Sequence, residues 1–274
     1  MVRKLIKYDF QSYFRLLFPV QLIIIGFALI NRLVQFFEPA SDAAEAASTV
    51  YNSVFVSTLV LYILSIFVCL VMTVIVGIIR FYQGMYTNEG YLNHTLPVTP
   101  TQHIFAKLLT SIIFCLGADL AIFLSFIVIT AGEVNIEVFK AFFYLAGKFF
   151  TRFGANGVFY VLEFILLLCA SAFFVFIKLY CCISIGQLVN RKKVLLSFGV
   201  FFGIYVIKQI IGTIFAIFVS LNLELFDRLG EWIGIHPELS VHLFFIFAIL
   251  YHALFGVIYF LITKHIMSKK LNLT

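Results

Sequence analysis

Six apolar runs, near residues 16–37, 54–79, 108–131, 158–185, 194–219 and 241–263, decide what this chain can fold into. A helix needs about 20 apolar residues to cross a hydrocarbon core of about 30 Å, and each run meets that length. Lipid offers the backbone no hydrogen-bond partner, so a spanning segment must be a helix or part of a closed barrel. The period-two alternation of a barrel strand is missing. The expected fold is therefore an all-α integral membrane protein with six transmembrane helices, forming a single transmembrane domain over residues 1–274. A mean hydropathy of +1.09, with 63% hydrophobic and 12% charged residues, leaves too little polar surface for a soluble domain of this size.

The cations give an orientation. Arg3, Lys4, Lys7 and Arg15 precede the first run, Arg80 and Lys107 flank the loop after the second, Arg191 to Lys193 separate the fourth and fifth, and Lys264, Lys269 and Lys270 follow the sixth. The alternate loops hold Lys140, Lys148, Arg152 and Arg228, and they hold nine of the 13 acidic residues. The positive-inside rule then places both termini in the cytoplasm of a multi-pass cell-membrane protein. It also accounts for the net charge of +6 through membrane boundaries, with no nucleic-acid partner. Val2, Ile6, Phe10, Tyr13 and Leu17 share a helical face opposite Lys4, Lys7, Gln11 and Arg15, which predicts an N-terminal amphipathic helix on the cytoplasmic leaflet. A second amphipathic element is expected within 133–156, in the outer interface. The segment 221–240, with Trp232 among acidic residues, reads equally as interfacial or re-entrant.

Motifs for catalysis are scarce. There is no H-E-x-x-H or G-x-S-x-G, and Gly147-Lys148 has Phe142 and Phe149 where a phosphate loop needs a glycine and a hydroxyl. The five cysteines fall inside the runs without C-x-x-C spacing and read as packing residues. Charges inside the runs cost about 2.5 to 3.5 kcal/mol each at a helix centre. Asp119 and Lys208 fall at similar mid-depth, and Arg32 and Glu163 at similar depth nearer the outer side, so depth matching suggests these as two ion pairs. Lys178, closer to the inner boundary, is expected to snorkel. Gly199 and Gly203 form a G-x-x-x-G that permits close helix approach, and His242 and His252 are expected to hydrogen-bond between helices.

The loop RFYQGMYTNEGYLNHTLPVTPTQHIFAK, 80–107, carries specific local signals. Thr99, Pro100 and Gln102 make a capping box with proline at the first helical position. Asn88-Glu89-Gly90 signals a turn, 91–96 is long enough for one short helix across the membrane surface, and Leu96-Pro97 breaks it. Such an ordered water-facing loop reads as a docking element for a soluble partner.

The run MYTNEGYLNHTLPVTPTQHIFAKLL closely resembles the loop of ABC-2 type transporter permeases, in which an acidic-Gly-Tyr-Leu segment precedes Thr-Leu-Pro-Val-Ser/Thr and a Lys-Leu-Leu. The basic start ending in FRLLFPV, the six spans and the cytoplasmic termini match that family's layout. The resemblance implies the membrane subunit of an ATP-driven ABC exporter, found in bacteria, paired as a homodimer or heterodimer with a second permease and bound to a separate ABC ATP-binding subunit. It implies that Glu89, Gly90, Tyr91, Leu92, Leu96 and Pro97 form the coupling helix that the ATPase grips. By the same resemblance, the amphipathic start also touches the ATPase, and spans one, two and five line the path. No cofactor would be bound by this chain, since ATP and magnesium would sit in the partner. A hydrophobic or amphipathic cargo would suit the phenylalanine-rich spans. The segment after span three is longer than in compact members. An ATP-independent carrier or channel using Asp119, Glu163 and Lys208 is the competing expectation, and an intramembrane enzyme ranks third.

Overall fold

A computed structural model describes residues 2–39, 45–95, 97–130, 136–189 and 191–269. Among these the chain forms eight helices and no strand: α1 (Val2–Phe36), α2 (Glu45–Tyr86), α3 (Asn88–Thr95), α4 (Pro100–Thr130), α5 (Ile136–Gly186), α6 (Lys193–Leu221), α7 (Leu223–Ile235) and α8 (Pro237–Lys269). Six of them, all except α3 and α7, are long and apolar enough to cross a membrane, so the architecture is that of a multi-pass helical membrane protein. The described residues of each apolar run fall within one of these six, apart from Phe37, which stands just past the end of α1. Several helices overshoot the bilayer: α2 has 42 residues, roughly 63 Å at 1.5 Å per residue.

The chain divides into two compact units, interleaved in sequence: Met1–Arg80 with Phe105–Gly154, and Phe81–Ile104 with Ala155–Thr274. The first unit packs α1, most of α2 and most of α4. Its interior is built from Ile24, Ala28, Tyr62, Cys69 and Ala118, continued by Tyr13, Leu17, Val76 and Phe114. In α1 these positions, 13, 17, 24 and 28, recur every four or seven residues, which puts them on one helical stripe. Once helices are in lipid the hydrophobic effect no longer drives them together, and close packing with interhelical hydrogen bonds takes over. Tyr13 shares a hydrogen bond with Ser111 (2.8 Å), Tyr62 with Ser125 (2.9 Å), and Asn31 donates from Nδ2 to the Thr58 carbonyl (3.0 Å) while accepting from Thr58 Oγ1 (3.1 Å).

The amphipathic stretch expected before the first span is not a separate helix. It is the start of α1, which runs unbroken through Pro19. Tyr13 and Leu17, two residues of the face assigned to the leaflet, are fully buried in protein. Proline inside a membrane helix is tolerated where neighbouring groups compensate for the lost backbone bond.

The second unit packs α5 beyond Gly154 with α6, α7, α8, α3 and the adjoining ends of α2 and α4. Phe174, Phe176, Ile177, Tyr180, Cys181 and Cys182 of α5 are buried, as are Ile266 and Met267 of α8. No residue of α6 is buried. Gly154 interrupts α5 with φ 50° and ψ −125°, a conformation L side chains rarely adopt. The helix of 136–153 therefore meets the fourth span at a glycine kink, with no intervening loop. This is the segment expected as an amphipathic element. Its start, 131–135, lies outside the described residues.

Candidate functional site

The 80–107 loop is an ordered piece of structure. α2 ends at Tyr86, one residue stands between the helices, and α3 begins at Asn88. The expected turn at Asn88-Glu89-Gly90 is thus helical, and the break falls one residue earlier, at Thr87. Thr87 Oγ1 donates back to the Gln83 carbonyl at 2.6 Å, which helps close the last turn of α2. Gly90 explains the tight fold-back: a Cβ there would sit 2.6 Å from the backbone carbon and oxygen of Met85. Any side chain would push α3 off the end of α2.

Within the second unit this assembly is anchored to the end of α5. The buried Phe81 ring stacks on Tyr180 with centroids 3.8 Å apart and planes 6° apart, and the Tyr86 hydroxyl donates to Ser184 Oγ at 2.7 Å. Ser184 in turn donates to the Tyr180 carbonyl at 2.8 Å, so stack and hydrogen bond form one connected set. Half of the expected capping box of α4 is present: Pro97, Val98 and Thr99 lie outside helix, the Thr99 N–H donates to Gln102 Oε1 at 3.1 Å, and the Gln102 N–H donates to the Thr99 backbone carbonyl at 3.0 Å. Of the residues assigned to coupling, Glu89 and Gly90 open α3, the backbones of Tyr91 and Leu92 continue it, and exposed Pro97 follows it. Leu96 lies outside the described residues.

Sequence reasoning missed an ion pair in the first unit. Lys107 Nζ meets Asp9 Oδ1 at 3.0 Å, with the two side chains 6% and 17% exposed. It ties the basic start of α1 to α4, below the Tyr13–Ser111 bond. The available signal was Asp9 itself, a lone carboxylate among Arg3, Lys4, Lys7 and Arg15.

Each depth-matched pair takes one member from each unit. Within its own unit Arg32 donates to Gln35 Oε1 at 3.2 Å and lies 4.4 Å from the Phe36 ring centre, and Asp119 is half-buried on α4. Glu163 Oε1 lies 2.8 Å from His242 Nδ1, and the His242 ring stacks on Tyr160 at 4.5 Å. Asn156 donates to Glu238 Oε2 at 2.6 Å on the same two helices. Asn156, Tyr160 and Glu163 share one α5 face, and Glu238 and His242 lie one turn apart on α8. His242 thus bonds between helices as expected, whereas His252 Nδ1 bonds within its own helix, to the Ala248 carbonyl at 2.7 Å.

Lys208 stands near the middle of α6, with about 20 Å of helix to either side of it. Its Nζ lies 4.5 Å from the Phe174 ring centre and 5.7 Å from that of Tyr251. Lys178 Nζ approaches the same Phe174 ring, at 5.7 Å, and that of Phe201 at 5.1 Å. Two like charges at a separation of about 10 Å and an effective dielectric of about 20 repel by about 1.7 kcal/mol, and each ring returns about 0.5 to 2 kcal/mol. A Cβ added at Gly199 or Gly203, on α6, would meet nothing within 4 Å. Among the described residues no group of His, Cys, Asp and Glu is placed to hold a metal. Comparison with protein-family models, with curated proteins and with solved structures returned no match.

Proposed function

We propose that the chain is the membrane-spanning permease subunit of an ATP-driven ABC exporter in a bacterial cell membrane, with both termini cytoplasmic. A separate ABC ATP-binding subunit would grip α3, and a second permease copy or homologue would complete the pathway. The observation that carries this reading is α3 itself: a short helix, folded tightly onto α2 at Gly90 and followed by a capped α4, in the stretch that resembles the ABC-2 coupling loop. A rigid base suits force transmission. The Phe81–Tyr180 stack and the Tyr86–Ser184 bond would carry a push on α3 directly to the end of α5, a rigid-body shift of packed helices. Amphipathic or hydrophobic cargo agrees with the apolar spans.

The test is co-purification of the ATPase with wild-type chain and with Glu89→Ala/Tyr91→Ala, alongside export in cells. Docking should weaken by about 1 to 3 kcal/mol while the six helices remain inserted. Equal docking and export would remove these residues from the interface, and full transport by the reconstituted chain alone would remove the ABC reading. The competing reading, an ATP-independent carrier, draws on the Glu163–His242 pair inside the spans, and proton-dependent transport without ATP would favour it.

A further inference from the structure

Among the described residues, the two lysines that converge on Phe174 have no anion to meet in their own unit. Lys178 of α5 and Lys208 of α6 each approach that buried ring, so their ammonium groups are no further apart than the sum of the two distances. The carboxylates of the second unit are engaged or lie on other elements: Glu163 meets His242, Glu238 meets Asn156, Glu89 is on α3, and Glu224, Asp227 and Glu231 are on α7. None of these is within ion-pair distance of either lysine. Aromatic faces attract a cation but accept no strong hydrogen bond, so the N–H donors of both lysines are left without an acceptor among the described residues of this unit. Both side chains are only half-buried, which leaves the ammonium groups accessible. The hydroxyl of Tyr251, whose ring is 5.7 Å from Lys208 Nζ, offers a further donor beside them.

We propose that Lys178 and Lys208 form a binding site, within the spans, for the acid group of an anionic amphiphile. An anion is indicated because two cations in an apolar setting, with no carboxylate partner among the described residues of their unit, stabilise one strongly, through short charge-assisted hydrogen bonds. An apolar tail is indicated by what surrounds the charges. Tyr205 and Ile211, three residues to either side of Lys208 and on its side of the helix, are both exposed, on a helix with no buried residue. A free hydrophilic anion gains nothing from that surface, whereas an acyl chain lies against it. The site would select cargo or a bound lipid by charge, and it stands whether or not an ATPase drives the chain.

Native mass spectrometry of the full chain in mild detergent tests this, using phosphatidylglycerol against phosphatidylcholine of the same acyl chains, oleate against oleyl alcohol, and inorganic phosphate. The anionic member of each lipid pair should bind about tenfold more tightly, and Lys178→Gln/Lys208→Gln should abolish that preference. Lys208→Arg should retain it, and Lys264→Gln, at the exposed far end of α8, should leave it unchanged. Removing charge from a span eases insertion, so the glutamine variants should be recovered folded, and single Lys208→Gln gives a second reading with a partial loss. Equal binding of charged and neutral lipids, or a preference that survives the double variant, would overturn the site. Inorganic phosphate binding as tightly as the lipids would overturn the amphiphile.

Discussion

The Asp9–Lys107 pair offers a demanding test, because its partners are almost enclosed and come from the two separate stretches of sequence that make up the first unit. At 3.0 Å and an effective dielectric of about 20, the attraction is about 5.5 kcal/mol. Dehydrating each ion costs several kcal/mol, so the intact pair contributes little net stability over two apolar residues. Breaking it is another matter. Asp9→Asn leaves Lys107, its side chain 6% exposed, without that counter-charge. Lys107→Met leaves a carboxylate whose Oδ2 is already buried without a partner. Each single variant should lose about 3 kcal/mol, at the lower end of the range for such changes because Asp9 retains some exposure. At about 2 °C per kcal/mol for a chain of this size, that is a fall of about 6 °C in apparent Tm. The double variant Asp9→Asn/Lys107→Met should recover more than half of the summed loss, since no lone charge remains. Thermal stability in dodecyl maltoside, followed by the monodisperse peak on size-exclusion chromatography, reads all four proteins. Strictly additive losses, or single variants within about 1 °C of wild type, would refute the buried-pair argument.

Gly90→Ala should be more disruptive than a helix alanine ordinarily is, by about 1 to 3 kcal/mol, because the methyl meets Met85 backbone at 2.6 Å and backbone cannot rotate away. Limited proteolysis should then cut within 87–100 faster than in wild type, and an unchanged rate would mean that α3 is not held against α2. Tyr86→Phe removes the donor to Ser184 Oγ while keeping the ring beside Phe81; a loss of about 0.5 to 1.5 kcal/mol in a thermal melt is expected, and a neutral result would remove that bond from the anchor. In a background lacking the native cysteines, cysteine at Ala43 or Glu224 should react with an impermeant reagent outside intact cells and cysteine at Asn190 should not; labelling at Asn190 would reverse the orientation.

What the sequence reveals here follows from which interactions are local. A span is announced by about 20 consecutive residues, and the cap of α4 by Thr99, Pro100 and Gln102, so the segment carrying the signal also forms the structure. The break before α3 stands one residue ahead of the Asn-Glu-Gly signal because Gly90 serves a close approach to Met85, five residues earlier, and not a reverse turn; the contact is local, but the same letters signal either use. Partner choice across helices is harder still. Counting residues gives depth, and depth places Arg32 and Glu163 level. It says nothing of azimuth, which advances by about 100° per residue and decides which neighbour a side chain faces. Glu163 and His242 are 79 residues apart and meet because both helices turn those faces together. Asp9 with Lys107, and Tyr13 with Ser111, are each 98 residues apart, and the equal spacing marks one contact repeated along α1 and α4. Going from Asp9 to Tyr13 and from Lys107 to Ser111 advances one turn on each helix in the same chain direction, so the two helices run parallel where they touch. The same offset carries the seam upward: Leu17 and Gln21, one and two turns further on, fall at the level of Cys115 and Asp119. Side chains on a helix lean toward its N-terminus, so Gln21 should meet α4 somewhat before Asp119. It does: the Gln21 amide donates from Nε2 to the Phe114 carbonyl at 3.3 Å, beside Gly117, where a Cβ would come within 3.5 Å of that nitrogen.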